Sequence, residues 1–278
     1  MTGFDQLTSI RGENGEYETE LTHQMVLWSV NGGYMAAIAL RVAGEFSRCR
    51  IPLNITSQFL KAAEIGGAHV SAKTLVSGEQ AELIEVSISQ NDKTVLLSHV
   101  WIGELLDSPS HNFAQMPLVA SPKELRSLEE VMSDDEPDMP VFLKNFDQKP
   151  IFRNTDERIK LQPVALRWFR YRGGSSFDCP FLDNARTLPL IDYTWYLAVL
   201  PIHENDFTVI TPTISLSVHF VDRAPNSEWL LADIKCESMG NGLIESTTRI
   251  WSESGQLIAE GIAQMMKTRG NARDLAFT

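Results

Sequence analysis

The sequence predicts an α+β protein in which antiparallel β-sheet packs against long helices and one pattern of elements occurs twice. Each half of the 278-residue chain contains one strand-like run, one helical run and four further strand-like runs. The halves align at an offset of about 160 positions, which pairs Tyr34 with Tyr193 and Phe59 with Phe220. Consecutive strands joined by short turns form antiparallel sheets, whereas a parallel sheet requires strands that alternate with helices.

The first half predicts a short strand around Tyr17 and a helix from Gly32 to Ser47. The helical run is rich in alanine and glycine, whose small size lets a sheet curl closely around a helix. Turn sequences such as Ile65-Gly66-Gly67 separate the runs that follow. Those runs predict four strands, at Leu53–Lys61, Ala68–Val76, Ala81–Gln90 and Thr94–Ile102.

The second half repeats this order. It predicts a strand near Ala165–Arg172 and a helix from Leu188 to Leu200, which Pro201 ends. The run Leu243–Ser252 shows the alternation of residue types that is typical of a strand with two different faces. The four strands predicted after this helix are Thr213–Val221, Glu228–Glu237, Leu243–Ser252 and Gln256–Lys267.

The pattern divides the chain into a first unit at 15–105, a linker at 106–150 and a second unit at 151–270. The linker is predicted to be solvated, with a short helix near Pro122–Met132. It carries the acidic run Asp134, Asp135, Glu136 and Asp138. Part of the net charge of −12 therefore lies outside the two predicted units.

The composition is that of an ordinary globular protein and disfavours several classes of partner. Lys and Arg total 24 against 36 Asp and Glu, whereas nucleic acids and anionic membranes reward clustered positive charge. No segment reaches the roughly 18 apolar residues of a membrane helix, and Met1–Glu13 lacks the apolar run of a signal peptide, so we expect a cytoplasmic protein. Three widely spaced cysteines predict neither a disulfide framework nor a metal site, and no cofactor is expected.

A family resemblance rests on five segments, which are Trp28–Ala37, Ser57–Ala63, Pro212–Phe220, Glu228–Leu231 and Ser254–Ala259. Together they resemble the acyl-CoA thioesterases of the hotdog fold, and the first is similar to the Asn-Gly-Gly-Tyr start of the hotdog helix. The resemblance implies a double hotdog, with two antiparallel sheets that are each wrapped around a long central helix. It also implies an acyl thioester substrate carried by CoA or an acyl carrier protein, and it leaves a homo-oligomer open.

The run Asn31-Gly32-Gly33, followed by Tyr34, is the candidate oxyanion and substrate-binding segment. Asparagine caps helices well, glycine lets a substrate carbonyl approach the backbone, and the positive end of a helix favours a developing oxyanion. The alternative is a plain helix cap whose glycines permit close packing of the helix on the sheet.

His219 is a further candidate for substrate binding. It lies two and four residues after Ser217 and Ser215, so the three side chains share one face of a strand. That face could meet the substrate, and the alternative is a histidine that packs in the core.

The resemblance implies a catalytic Asp, a Ser or Thr, and a Gln in the second unit. Aligned on Glu228-Trp229, the Thr falls near Glu237 or Ser238, and the Gln falls at Ala263 or, with a shift of one residue, Gln264. The Asp position is occupied by Ser215, which cannot act alone as a general base near neutral pH.

Asp192 is the candidate replacement for that missing carboxylate. It lies in the second predicted helix, at the position that pairs with Gly33, and helix carboxylates serve as base or nucleophile in other hotdog enzymes. The alternative is a structural hydrogen bond. Glu237 is a second candidate for the missing carboxylate, and its alternative is an exposed strand carboxylate. The predicted catalytic set is therefore Asp192, Gln264, Ser215 and Ser238.

Arg167, Arg170 and Arg172 lie on one predicted strand and could hold the phosphates of coenzyme A. Arg167 and Arg172 face opposite sides, so only part of this set can act together. The alternative is a solvated edge of the sheet.

The leading hypothesis is hydrolysis of an acyl thioester, with a helix N-terminus as the oxyanion hole. Ser215 in place of Asp keeps two alternatives open. One is a diverged hotdog enzyme of specialised metabolism that dehydrates, cyclises or transfers a polyketide-like chain. The other is a non-catalytic acyl-binding protein.

Overall fold

Antiparallel β-sheet dominates the computed structural model, which describes residues 2–105, 113–132, 139–152, 162–203 and 211–267. The predicted acidic run lies outside these ranges. Within them, the strands are β1 (Arg11–Glu13), β2 (Glu16–Leu21), β3 (Ile51–Phe59), β4 (Gly66–Ser77), β5 (Ala81–Gln90), β6 (Lys93–Gly103), β7 (Phe146–Pro150), β8 (Val164–Tyr171), β9 (Thr213–Phe220), β10 (Leu230–Gly240), β11 (Leu243–Ser252) and β12 (Leu257–Met266).

The strands form one continuous sheet in the order β1-β2-β4-β5-β6-β3-β9-β12-β11-β10-β8-β7, and all neighbours are antiparallel. The order β2-β4-β5-β6-β3 in the first half matches β8-β10-β11-β12-β9 in the second. The two expected sheets are thus joined, because β3 and β9 pair from Asn54 with His219 to Gln58 with Ser215.

The helices are α1 (Phe4–Leu7), α2 (Gly32–Phe46), α3 (Leu128–Val131), α4 (Pro180–Ala185), α5 (Leu188–Tyr193) and α6 (Trp195–Val199), with 3₁₀ turns at His23–Met25, Val141–Asn145 and Leu200–His203. The prediction of α2 is confirmed to within one residue. The second long helix, predicted at Leu188–Leu200, is instead the two short helices α5 and α6, and the additional short helix α4 precedes them. Pro189 contributes to the break between α4 and α5, because it has no N–H to donate to the carbonyl four residues earlier. Among the described helices, none has the length and apolarity to cross a membrane.

Helix α2 is almost entirely buried between the sheet and the helices of the second half. A Cβ at Gly33 would overlap the carbonyl oxygen of Leu188, and a Cβ at Gly44 would overlap the Phe181 ring. Glycine therefore lets the two helical layers approach at backbone distance.

A second apolar cluster covers the opposite side of β8, β10 and β11. It contains Trp168, Trp229 and Trp251, and residues of the predicted linker such as Met116 and Leu125 pack on it. The linker prediction therefore misses two features: these residues cover the sheet, and β7 pairs with β8. Both depend on contacts between distant segments, which local composition does not encode.

Candidate active site

A cavity of about 390 Å³ lies where the N-terminus of α2 meets α5 and the start of β9. Its walls are mainly apolar and come from both halves of the chain; they include Leu27, Trp28, Val30, Met35, Phe59, Trp195 and Ile214. Groups able to hydrogen-bond also line it, among them Asn31, Gly32, Asp192 and Thr213. An apolar cavity with few convergent polar groups is typical of a small-molecule site.

Asp192 binds the N-terminus of α2. Its Oδ2 accepts hydrogen bonds from Asn31 Nδ2 at 2.8 Å and from the Gly33 N–H at 3.0 Å. Asn31 also caps α2, because its Oδ1 accepts a hydrogen bond from the Tyr34 N–H at 2.8 Å. The carboxylate of the second half is therefore held by the positive end of a helix from the first.

Burial raises the pKa of Asp192 above its ordinary value. Hydrogen bonding by Thr213, Gly33, Gly32 and Asn31 favours the charged form and only partly offsets this effect. Oδ1 has no hydrogen-bond partner of ordinary geometry within the described ranges. A buried carboxylate with one uncommitted oxygen is suited to accept a proton.

Thr213 reaches this site because of a β-bulge. In the pairing of β9 with β12, Ser215 is opposite Gln264 while Thr213 is opposite Met265, so Ile214 is an extra residue. Met265 is fully buried, and the bulge turns Thr213 to the same inner face. Sequence reasoning missed Thr213, because no motif marks it and the bulge that turns it away from the face of Ser215 depends on the pairing with β12.

Ser215 and Gln264 are direct neighbours on the outer face of the sheet, and Ser238 lies in the same row two strands away from Gln264. Gln264 is opposite both Ser215 and Glu245, and Glu245 is opposite Ser238. Gln264 and Ser215 are half-buried and Ser238 is exposed. Their inner neighbours Leu216 and Ala263 are fully buried. The three predicted catalytic residues therefore do not line the cavity.

His219 and Tyr34 also lie away from the cavity. His219 is exposed on the outer face, opposite Asn54 and Glu260. Tyr34 is buried, and its hydroxyl donates to the Leu7 carbonyl at 2.7 Å, while burial raises the pKa of that hydroxyl. Tyr34 fixes α2 to the N-terminal segment.

The two glycines of the predicted oxyanion segment have different positions. Gly33 donates its N–H to Asp192 and packs against the Leu188 backbone, as the structural alternative expects. Gly32 lines the cavity, and a Cβ there would lie 2.8 Å from the Phe59 ring. Of the two glycines, Gly32 is therefore the one at the cavity wall.

Arg170 and Arg172 are engaged on the outer side of β8. Both bond to Asp147, at 2.8 Å and 2.6 Å, and Arg170 also stacks over Trp229. These ion pairs join β7 to β8.

Two family models match the chain in succession. The model of the acyl-CoA thioesterase N-terminal domain matches residues 20–103, and that of the acyl-CoA thioesterase C-terminal domain matches residues 122–266. The chain belongs to the acyl-CoA thioesterase family. The family resemblance read from the five sequence segments is thereby confirmed.

Several solved structures are similar over nearly the whole length of this thioesterase-family chain. A conserved hotdog-fold protein of Alicyclobacillus acidocaldarius has a TM-score of 0.80 at 18% identity, and covers 96% of this chain and 98% of its own. The tesB protein of Mycobacterium avium subspecies paratuberculosis has a TM-score of 0.79 at 17% identity, with 96% and 100% covered. Acyl-CoA thioesterase II TesB2 of Mycobacterium marinum has a TM-score of 0.78 at 16% identity, with 95% and 98% covered. No curated protein matches the chain.

The cavity lies between the two thioesterase-family domains. Asn31 and Gly32 come from the N-terminal domain, and Asp192 and Thr213 from the C-terminal domain. Neither domain alone assembles these four groups.

Proposed function

We propose that the chain hydrolyses acyl thioesters in the cavity between its two domains, with acyl-CoA as the first substrate class to test and an acyl carrier protein as the alternative carrier. The observation that carries this proposal is Asp192, a buried carboxylate held at the N-terminus of α2 with one uncommitted oxygen in an apolar cavity. Family membership supports thioester chemistry in general.

In the proposed mechanism, Asp192 acts as general base. A water molecule held by Asp192 and the Thr213 hydroxyl attacks the thioester carbonyl carbon, and its proton passes to Asp192. The positive end of α2, which reaches the cavity at Gly32, stabilises the tetrahedral oxyanion. The C–S bond then breaks, the proton returns from Asp192 to the departing thiolate, and the products are a carboxylic acid and a thiol.

We further propose that the halves are two hotdog units, at 15–105 and 151–270, fused through the segment 106–150. The identical strand order in the two halves supports this division. The C-terminal family model begins at residue 122, so much of the fusion segment belongs with the second unit. The pairing of β7 with β8 agrees with that assignment.

A panel of short-, medium- and long-chain acyl-CoAs tests hydrolysis, with Asp192→Asn as the decisive variant. We expect kcat to fall by about 10²- to 10⁴-fold, since a positioned base typically contributes that factor. Glu237→Gln is the matched control, because Glu237 is exposed and pairs with Lys235 far from the cavity. Turnover that survives Asp192→Asn contradicts the mechanism, and a wild-type protein that binds acyl-CoA without turnover favours the non-catalytic alternative.

A further inference from the structure

Phe59 ends β3 on the face of the sheet that packs on α2. Alternation along the strand places it on the same face as Ile55 and Ser57, which are both fully buried. The pairing of β3 with β9 runs to Gln58 opposite Ser215, so Phe59 lies beside the start of β9. Phe59 is therefore at the junction of the two halves, where it lines the cavity.

The Phe59 ring packs directly against the N-terminus of α2. A Cβ on Gly32 would lie 2.8 Å and 2.9 Å from two carbons of this ring and 3.3 Å from Asp192 Oδ2. Carbon atoms in favourable contact are about 3.5–4.0 Å apart, so a methyl group on Gly32 would overlap the ring. The ring edge, the Gly32 backbone and the Asp192 carboxylate therefore border one small space.

The burial of the cavity wall gives a bound substrate a direction. Leu60 and Lys61, which follow Phe59, are exposed, so the cavity opens to solvent at this end. Met35 and Trp195, also in the wall, are buried. A hydrated carrier is favoured at the open end, and an apolar acyl chain is favoured at the buried end.

We propose that the Phe59 ring selects the acyl group by excluding a branch at its α-carbon. In the proposed mechanism, the carbonyl carbon is attacked by a water on Asp192, and the oxyanion forms at the N-terminus of α2. The α-carbon is one bond from that carbonyl carbon and therefore lies against the ring that borders the same space. Straight-chain acyl thioesters are then the preferred substrates. This inference rests on the proposed function, since it assigns an acyl class to the same cavity.

The carrier side of the thioester is a poorer match for the Phe59 ring. The arm of coenzyme A or of an acyl carrier protein contains amide groups, which would lose hydrogen bonds to water against an apolar ring. A hydrocarbon chain gains free energy from the same contact. The ring is itself packed against the main apolar core, which continues this surface inward.

The test compares two isomeric substrates, α-methylhexanoyl-CoA and δ-methylhexanoyl-CoA, with hexanoyl-CoA as the unbranched reference. The isomers differ only in the position of the methyl branch, so their size and hydrophobicity are matched. Hydroxide-catalysed hydrolysis of the same compounds corrects for the lower intrinsic reactivity of the α-branched thioester. For the wild type we expect the corrected kcat/KM of the α-branched isomer to be about 10- to 100-fold below that of the δ-branched isomer.

Phe59→Ala should bring the two isomers within about threefold of each other, because loss of the ring opens the space beside Gly32. Phe59→Leu should give an intermediate ratio. Phe220→Ala is the matched control and should keep the wild-type ratio. Phe220 occupies the related position in the second half and is also partly buried against the core, but it does not line the cavity.

Equal corrected rates on the two isomers in the wild type would overturn the proposal. A wild-type ratio in Phe59→Ala would also overturn it, and so would an equal change of ratio in Phe220→Ala. Each ratio comes from one protein sample, so a partly unfolded variant still gives a valid value. If Phe59→Ala does not fold at all, as judged by circular dichroism, Phe59→Leu carries the comparison.

Absence of turnover on every substrate would contradict the proposed hydrolysis and leave Phe59 testable. Calorimetry with ketone analogues, in which a methylene group replaces the thioester sulfur, then decides. Weaker binding of the α-methylated analogue by the wild type, restored in Phe59→Ala, supports selection by the ring. Equal binding of the α-methylated and unbranched analogues by the wild type rejects it.

Discussion

At the residue scale, the site depends on how one carboxylate is held. Asp192 is buried at a cost, and the N-terminus of α2 returns part of that cost through two hydrogen bonds to Oδ2. Oδ1 stays uncommitted. This division of roles between the two oxygens fixes the carboxylate in place while keeping it basic.

The pH dependence of hydrolysis should report Asp192. Because burial raises its pKa, we expect kcat to rise with pH through an inflection above the ordinary value of an aspartate. A pH–rate profile on one acyl-CoA measures it. An inflection at or below the ordinary aspartate value contradicts the assignment of Asp192 as the base.

The free energy of unfolding should fall as pH rises, whereas kcat should increase. Between the unfolded and the raised folded pKa, the folded protein holds a proton that the unfolded chain has lost, so the contribution of Asp192 to stability falls as pH rises through that window. Asp192→Asn cannot ionise and should therefore gain in melting temperature relative to wild type across the same window. Melting curves at a series of pH values test this, and a constant difference between the two proteins would speak against it.

Thr213 should contribute to catalysis in two ways: its hydroxyl holds the attacking water, and it favours the charged form of Asp192. Thr213→Val removes the hydroxyl at nearly constant shape, so we expect kcat to fall by about 10- to 100-fold. The inflection of the pH profile should move upward, because one group that favours the charged form is lost. Thr213→Ser should restore both. If kcat falls but the inflection stays at the same pH, Thr213 does not influence the pKa of Asp192.

At the element scale, a β-bulge and one close contact between two helices place these residues. A β-bulge at Ile214 turns Thr213 inward while Ser215 and Gln264 remain on the outer face. Close packing of α2 on α5 brings Asp192 within hydrogen-bond distance of Asn31. Both the bulge and the helix contact lie within the site itself.

Gly33→Ala should be strongly destabilising, because its Cβ would overlap the Leu188 carbonyl oxygen. We expect a loss of about 1–3 kcal/mol in the free energy of unfolding, together with reduced activity as α5 moves away from α2. Chemical denaturation measures the first quantity. Gly240→Ala is the control, since a Cβ there meets no neighbouring atom. Equal stability of the two variants would contradict the packing argument.

At the scale of the whole molecule, duplication and asymmetry occur together. The two halves share one strand order, yet the position that pairs with Asp192 is Gly33, which has no side chain. The duplicated fold thus places this carboxylate at one of two related positions. The first half supplies the helix N-terminus, and the second supplies the base.

The two halves should unfold together, because β3 pairs with β9 and the α2 layer packs on α4 and α5. Tryptophan fluorescence reports mainly on the second half, which holds Trp168, Trp195, Trp229 and Trp251. Circular dichroism reports on both halves. We expect the two signals to give one coincident transition in denaturant, and two separate midpoints would show that the halves are independent.

The sequence by itself determined the repeated order of elements, the bounds of α2 and most strands, the family resemblance and Asp192 as a candidate base. Each of these depends on local periodicity, turn residues or short motifs, which the sequence displays directly. The placement of Asp192 against Asn31, the inward turn of Thr213 and the outward position of Gln264 were decided only in three dimensions. A single extra residue in one strand reverses the face of every side chain beyond it, and that shift depends on the partner strand, which local sequence does not specify.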